Sequence, residues 1–232
     1  MGKHVQWRSP NPRSPKSYGE TVRYGGRSDG GDAYLAHSDR VGPGVLVLHE
    51  GYGLQPAWIG LADRLTADGF TVLVPDLFDG RVADAVDEAR ALGGKLDRHR
   101  TARRLAAAVE FLRDNWHPRV GILGFSMGAM LGFELAARGF GDALVAYYGM
   151  PDEALSRVEC PVLVHLAEAD ELMPNGDAEA AFDAMGRSGT DIETIRYAGA
   201  HSFANSSVAA FDQTAAEEAF ATTCAFFHHH LA

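Results

Sequence analysis

Apolar and polar residues change their period repeatedly along this chain. Beyond residue 20, short runs of β-branched and aromatic residues alternate with longer segments whose apolar positions fall three and four apart. ETVRY (20–24) and DAYLA (32–36) flank the glycine-rich GGRSDGG, a pattern that predicts a hairpin. Six more strand-like runs follow at 44–49, 70–75, 119–124, 143–149, 160–167 and 192–198. Five of the six are almost continuously apolar, as strands covered on both faces must be. Helical periodicity marks 56–68, 97–115, 127–138, 177–187 and 209–228. Strand and helix in alternation predict one α/β domain over 20–232, a mostly parallel sheet with helices on both faces and right-handed crossovers. No internal repeat or second domain boundary is visible.

Composition narrows the function classes. Of 232 residues, 46% are hydrophobic and 22% charged, ordinary values for a globular chain. No apolar stretch reaches eighteen residues, so no membrane span is expected. The opening MGKHVQWRSPNPRSPKSYGE has no apolar h-region, so no secretory signal is expected either. The net charge of −10 repels nucleic-acid phosphates, and it suits a monomer or a small homo-oligomer. Residues 1–19 run against that balance, with Lys3, Arg8, Arg13 and Lys16 and no acid. Pro10, Pro12 and Pro15 preclude a helix or central strand there, so 1–19 is expected to be a disordered basic tail. Cys160 and Cys224 sit in strand-like and helical runs, which suits two packed thiols in a reducing, cytoplasmic setting.

The chemistry is concentrated at Gly124-Phe125-Ser126-Met127-Gly128, a G-x-S-x-G pattern that is weak alone. Its context strengthens it. RVGILG enters Ser126 as a buried strand, and MGAMLGFELAARG leaves it as an apolar helix stopped at Gly139. A nucleophile at such a turn is strained, so Gly124 and Gly128 must leave room for the strand and helix to close together. Serine needs a base, which needs an acid to orient it. CPVLVHLAEADELMP ends a strand and carries Glu168, Asp170 and Glu171; IETIRYAGAHSFAN ends another and carries His201. Ser126, Asp170 and His201 thus each follow a strand's C-terminal end, where parallel sheets place their sites. Asp170 ranks above Glu168 because it falls later in the loop. His165, inside an apolar strand, reads as core. The consecutive His228, His229 and His230 point about 100° apart on a helix and suit no shared metal. No metal or cofactor is signalled.

Six ordered motifs carry a family resemblance over roughly residues 20–228: LVLHEGYGL (46–54), VPDLF (74–78), GILGFSMGA (121–129), AYYG (146–149), AEADELMP (167–174) and GAHSFAN (199–205). On these the chain resembles the dienelactone hydrolase family of α/β-hydrolases. The resemblance implies a triad mapping onto Ser126, Asp170 and His201, with an auxiliary acid at Glu50. The family's name-giving enzymes carry cysteine where this chain has Ser126. They also hold a substrate carboxylate with arginines; one falls at Asn205, and Arg81 lies about one residue from the other. Neutral esters and lactones are therefore the better expectation. Glu50 either raises its neighbours' basicity or orders a water, or it only shapes the site by pairing with a nearby Arg or the Asn205 amide.

An acyl transfer of this kind needs two oxyanion donors, expected from the N–H groups of Met127 and Gly51. Residues 150–159 leave no room for a cap domain after the strand ending at AYYG, so a shallow pocket roofed by 50–58 and 76–96 is expected. Tyr52, Trp58, Phe78, Tyr148, Met173 and Phe203 are the apolar candidates for its lining, with Arg81 and Asn205 as polar ones. A thioesterase or peptidase with the same triad, and a non-catalytic binding protein on this fold, are the rival expectations.

Overall fold

The computed structural model describes residues 17–151, 158–173 and 175–232. Strands β1 (Ser17–Tyr24) and β2 (Gly31–Ser38) form the hairpin, in register from Ser17 opposite Ser38 to Tyr24 opposite Gly31. The chain continues through β3 (Gly44–Leu48), α1 (Pro56–Ala67), β4 (Thr71–Pro75), α2 (Val86–Gly93) and α3 (Arg98–Asn115). It ends with β5 (Val120–Phe125), α4 (Met127–Ala137), β6 (Ala143–Tyr147), β7 (Val162–Ala169), α5 (Asn175–Arg187), β8 (Ile192–Ala200) and α6 (Gln213–Leu231). The eight strands make one sheet in the order β1-β2-β4-β3-β5-β6-β7-β8. Strands β3 to β8 run parallel, and β2 joins them antiparallel to β4.

Strand alternation divides the core in two. Leu46, Leu48, Leu73, Ile122, Leu144 and Val164 face one side, where Ala89, Leu105, Val109, Phe133 and Phe182 of α2 to α5 cover them. Val45, Val47, Val72, Val74, Leu123 and Val145 face the other, under Trp58 and Leu65 of α1 and Phe227 of α6. Burial of each such side chain stabilises the fold by about 1.5–3 kcal/mol, which is why these runs could be read from apolar content. His165 is buried as expected: Tyr197 Oη and Thr223 Oγ1 each lie 3.0 Å from one ring nitrogen. Burial pushes its pKa down to about 3, so it stays neutral at ordinary pH.

The structure differs from the sequence expectations at element ends and in one helix. β1 begins at Ser17, so the boundary expected after residue 19 moves; the rest of the expected tail, 1–16, lies outside the described residues. α6 starts at Gln213 rather than 209, because the Asp212 carboxylate accepts the Ala215 N–H at 2.9 Å and caps the helix there. α2 was expected as loop. It is only eight residues long, and its polar VDEAR half masks the Ala89/Leu92 pair that docks it on the core. Among the described residues, both cysteines are free thiols and no helix is long and apolar enough to cross a membrane.

Candidate active site

Strand β5 ends at Phe125, and the next residue turns the chain into α4. Ser126 makes that turn at φ 52°, ψ −114°, outside the regions ordinary side chains favour. Such a conformation costs on the order of 1–3 kcal/mol and persists only where neighbours enforce it. Here the Ser126 N–H donates to the Tyr147 carbonyl at 3.0 Å, while the Ser126 carbonyl accepts from Ala129 and Met130. The flanking glycines are required by contact. A Cβ at Gly124 would lie 2.6 Å from Ala129 Cα, and one at Gly128 would lie 2.7 Å from the His49 carbonyl oxygen. Gly149 performs the same service beneath the turn, where a Cβ would lie 2.7 Å from the Ser126 carbonyl oxygen.

Two later strands deliver the partners. β7 ends at Ala169 and presents Asp170; β8 ends at Ala200 and presents His201. Ser126 Oγ lies 2.7 Å from His201 Nε2, and His201 Nδ1 lies 2.8 and 3.0 Å from the two Asp170 oxygens. An ionised carboxylate only accepts, so Nδ1 carries the proton and Nε2 presents its lone pair to the serine hydroxyl. Asp170 is itself held: its Oδ1 accepts N–H groups of Leu172 at 2.9 Å and Met173 at 2.8 Å. Its side chain is fully buried, whereas that of His201 keeps 13% of its surface exposed. The ring of Tyr148 packs beneath the imidazole with centroids 5.0 Å apart.

Glu50 follows β3 and is buried beside this array. Its carboxylate accepts from Ser202 Oγ at 2.9 Å and from Asn205 Nδ2, which also donates to Gln55 Oε1 at 2.9 Å. Burial raises its pKa above the ordinary 4.5; the hydrogen bonds from Asn205 and Ser202 and the proximity of His201 oppose that rise. A raised acid binds more protons folded than unfolded, so its contribution to stability falls as pH climbs from about 4.5 toward the folded value. Glu50→Gln removes this titration. Its melting temperature relative to the unsubstituted protein should therefore increase from pH 4 to pH 7. A difference that stays constant over that range would contradict the assignment.

The preceding residue, His49, fixes the backbone of Glu50. Leu77 N–H donates to His49 Nε2 at 3.2 Å, which leaves the proton on Nδ1, donated to the Glu50 carbonyl at 2.8 Å. Burial lowers the His49 pKa and keeps the ring neutral. Because a trans peptide holds its N–H opposite its carbonyl, securing the Glu50 oxygen also orients the Gly51 N–H. Met127 N–H, in the first turn of α4, has no acceptor within the helix.

A cavity of about 390 Å³ opens beside the serine. Glu50, Gly51, Ser126, Met127, His201 and Ser202 form its chemical end. Tyr52, Met130, Leu172 and the α2 segment Val86 to Gly94 complete the walls, with Arg90 as a cation among them.

The family model described as the dienelactone hydrolase family matches residues 32–231. The chain belongs to the dienelactone hydrolase family. It is 30% identical over 214 residues to Protein usf of Aquifex pyrophilus, covering 85% of this chain and 93% of that one. It is 28% identical over 219 residues to carboxymethylenebutenolidase 1 of Cupriavidus pinatubonensis, covering 88% and 92%. Among solved structures it resembles a dienelactone hydrolase-like promiscuous phosphotriesterase from metagenomic libraries. That likeness has a TM-score of 0.82 at 24% identity, covers 93% and 99% of the two chains, and speaks to the fold alone.

Within this dienelactone hydrolase family member, the expected pocket lining needs revision. Tyr52 borders the cavity, but the other candidates lie elsewhere for identifiable reasons. Trp58 packs on Phe125, centroids 4.5 Å apart, on the α1 side of the sheet. Phe78 packs against the His49 ring, and Arg81 folds back so that its Nε donates to the Phe78 carbonyl at 3.1 Å. Tyr148 and Phe203 are core beneath His201, and Met173 is core that serves Asp170 through its N–H. Asn205 is fully buried and engages Glu50 and Gln55. The expected roof, 50–58 and 76–96, contributes residues 50–52 and, from α2 and its end, Val86, Ala89, Arg90, Gly93 and Gly94.

Sequence reasoning placed the segment of Val86, Ala89 and Arg90 in the roof without singling out those side chains, and it missed Met130, Leu172 and Ser202. Met130 had a signal: Glu134 is the one charged residue of α4, which is more apolar than a helix half-covered by water needs to be. The α2 residues had none beyond the weak Ala89/Leu92 pair.

Proposed function

We propose that this protein hydrolyses small carboxylic esters or lactones through an acyl-enzyme on Ser126. The relay of Ser126 Oγ, His201 and Asp170, with contacts of 2.7 and 2.8 Å, is the observation that carries this. Ser126 Oγ attacks the carbonyl carbon as its proton passes to His201 Nε2, and the carbonyl π pair moves onto oxygen. Asp170 stabilises the resulting imidazolium. The N–H groups of Met127 and Gly51 receive the oxyanion; each such donor is typically worth on the order of 10²–10³ in rate. Collapse expels the alkoxide, which takes the proton from Nε2. Water then attacks the acyl-serine by the same route, giving acid plus alcohol, or one hydroxy acid from a lactone. Only residues 148–161 link β6 to β7, too few for a cap, so a small substrate suits the cavity.

Intact-mass analysis after treatment with a fluorophosphonate tests the reading. One adduct is expected on the unsubstituted protein and none on Ser126→Ala or His201→Ala. A folded, unsubstituted protein that takes no adduct would remove the acyl-enzyme and leave a binding protein on this fold.

Arg90 favours a second substrate class, a lactone bearing a carboxylate. It borders the cavity, and its exposed contact with Asp87 is long at 3.7 Å. Arg90→Gln should then raise KM for the anionic lactone and leave that of its neutral ester unchanged. Equal effects on both would exclude an anion-binding role.

A further inference from the structure

We infer that the site continues into a second, apolar subsite that takes the alkyl chain of a medium-length acyl group; this rests on the acyl-enzyme reading above. A neighbouring cavity of about 230 Å³ is lined by Gly93, Leu96, Thr101, Met127, Met130 and Leu131, with Arg98 and Glu134 at its edge. Gly93, Met127 and Met130 border both cavities, so one wall separates the reacting serine from this space.

That wall is built to yield. Gly93 offers no side chain; a Cβ there would already lie 3.3 Å from Met127 Sδ. Met127 and Met130 are unbranched and polarisable, and such side chains re-pack around apolar ligands at little cost. They stand one turn apart on α4, with Leu131 beside them. Both are only partly buried, Met127 at the margin of the core, whereas the fully buried positions of α4 are Gly128, Ala129, Gly132, Phe133, Leu135 and Ala136.

Chemistry selects the occupant. The wall is mostly apolar, and its two charges, Arg98 and Glu134, are hydrogen-bonded to each other. Their mutual pairing favours an uncharged chain over an ionised head group. At ~30 Å³ for a water-sized group, the space holds about seven or eight methylenes. The acyl side of the ester is the part that enters. The leaving oxygen must remain beside His201 Nε2 to receive its proton, and His201 borders the serine cavity but not the second one.

The test is kcat/KM for p-nitrophenyl acetate, butyrate, hexanoate, octanoate and decanoate on the unsubstituted protein, Leu131→Trp and Leu96→Trp. The two tryptophans fill the subsite from different elements, so one folded variant suffices. The unsubstituted protein should gain up to about fourfold per methylene to octanoate and then level off. Either tryptophan should cut the octanoate-to-acetate ratio by at least about tenfold. A ratio that is flat or falling in the unsubstituted protein, or unchanged in a folded tryptophan variant, overturns the subsite. Should no p-nitrophenyl ester turn over, inactivation rates by methyl and octyl fluorophosphonates supply the same ratio. Labelling without chain-length preference removes the subsite alone; absence of labelling removes the acyl-enzyme and the subsite with it.

Discussion

Replacing Ser126 or His201 by alanine should lower kcat/KM for a small ester by on the order of 10⁴–10⁶, and replacing both should cost little more than either. At about 1.36 kcal/mol per tenfold, that is roughly 5–8 kcal/mol of transition-state stabilisation. The non-additivity follows from the geometry. With Ser126 Oγ 2.7 Å from His201 Nε2, each group works only through the other: serine without the base keeps its proton, and the base without serine has nothing to activate. Residual activity in the double variant should come from water attacking a carbonyl polarised by the proposed donors, the Met127 and Gly51 N–H groups. Asp170→Asn should lose less than Ser126→Ala, because the amide can still meet His201 but lets the ring take the wrong tautomer. Steady-state kinetics beside a melting curve for each variant separates lost chemistry from lost fold. Single substitutions whose losses multiply in the double variant would mean that the two residues act independently.

Much of this was legible in the chain, for physical reasons that vary from element to element. The parallel strands announce themselves because both faces are covered, so apolar runs such as GVLVL need no alternation to be recognised. The three candidate catalytic residues were locatable because each directly follows a strand, at Phe125, Ala169 and Ala200. A strand's end is visible in sequence, and topology brings the ends together. Which aromatic faces the cavity was not visible. Trp58, Tyr148 and Phe203 sit near the site in sequence, yet a large apolar side chain beside a sheet edge gains more from the core than from an open pocket. The walls instead came from α2, a short helix whose position depends on tertiary docking rather than on its own period. Glu50 shows the same limit. Its place beside Ser126 and a pairing with the Asn205 amide were both among the expectations, but the bond it accepts from Ser202, some 150 residues away, leaves no local trace.

Gly128, two residues after Ser126, carries the largest expected effect on the fold itself. Gly128→Ala adds a Cβ that would lie 2.6 Å from the Leu48 carbonyl carbon and 2.7 Å from the His49 oxygen. Those are backbone atoms, and β3 cannot retreat from them: Leu46 pairs with Leu73 of β4 and Leu48 with Gly124 of β5. A close-packed interior transmits the displacement rather than absorbing it. The expected loss exceeds about 4 kcal/mol, in the range reserved for overpacking against a rigid neighbour. Gly132→Ala, on the same helix, meets only methyl carbons of Leu144 and Ile122 at 3.1 and 3.3 Å and should cost far less. Gly60→Ala, inside α1 with nothing within 4 Å, should stabilise by about 0.5–1 kcal/mol through helix propensity. Urea unfolding of the three variants orders them, and a Gly128→Ala protein as stable as the parent would show that β3 and α4 are not in the contact described. Function is tied to the same contact. Any shift of His49 to admit the new carbon moves the Glu50–Gly51 peptide that His49 holds, and with it one of the two proposed oxyanion donors. A Gly128→Ala protein rescued by stabilising substitutions elsewhere should therefore fold and still react slowly with a fluorophosphonate.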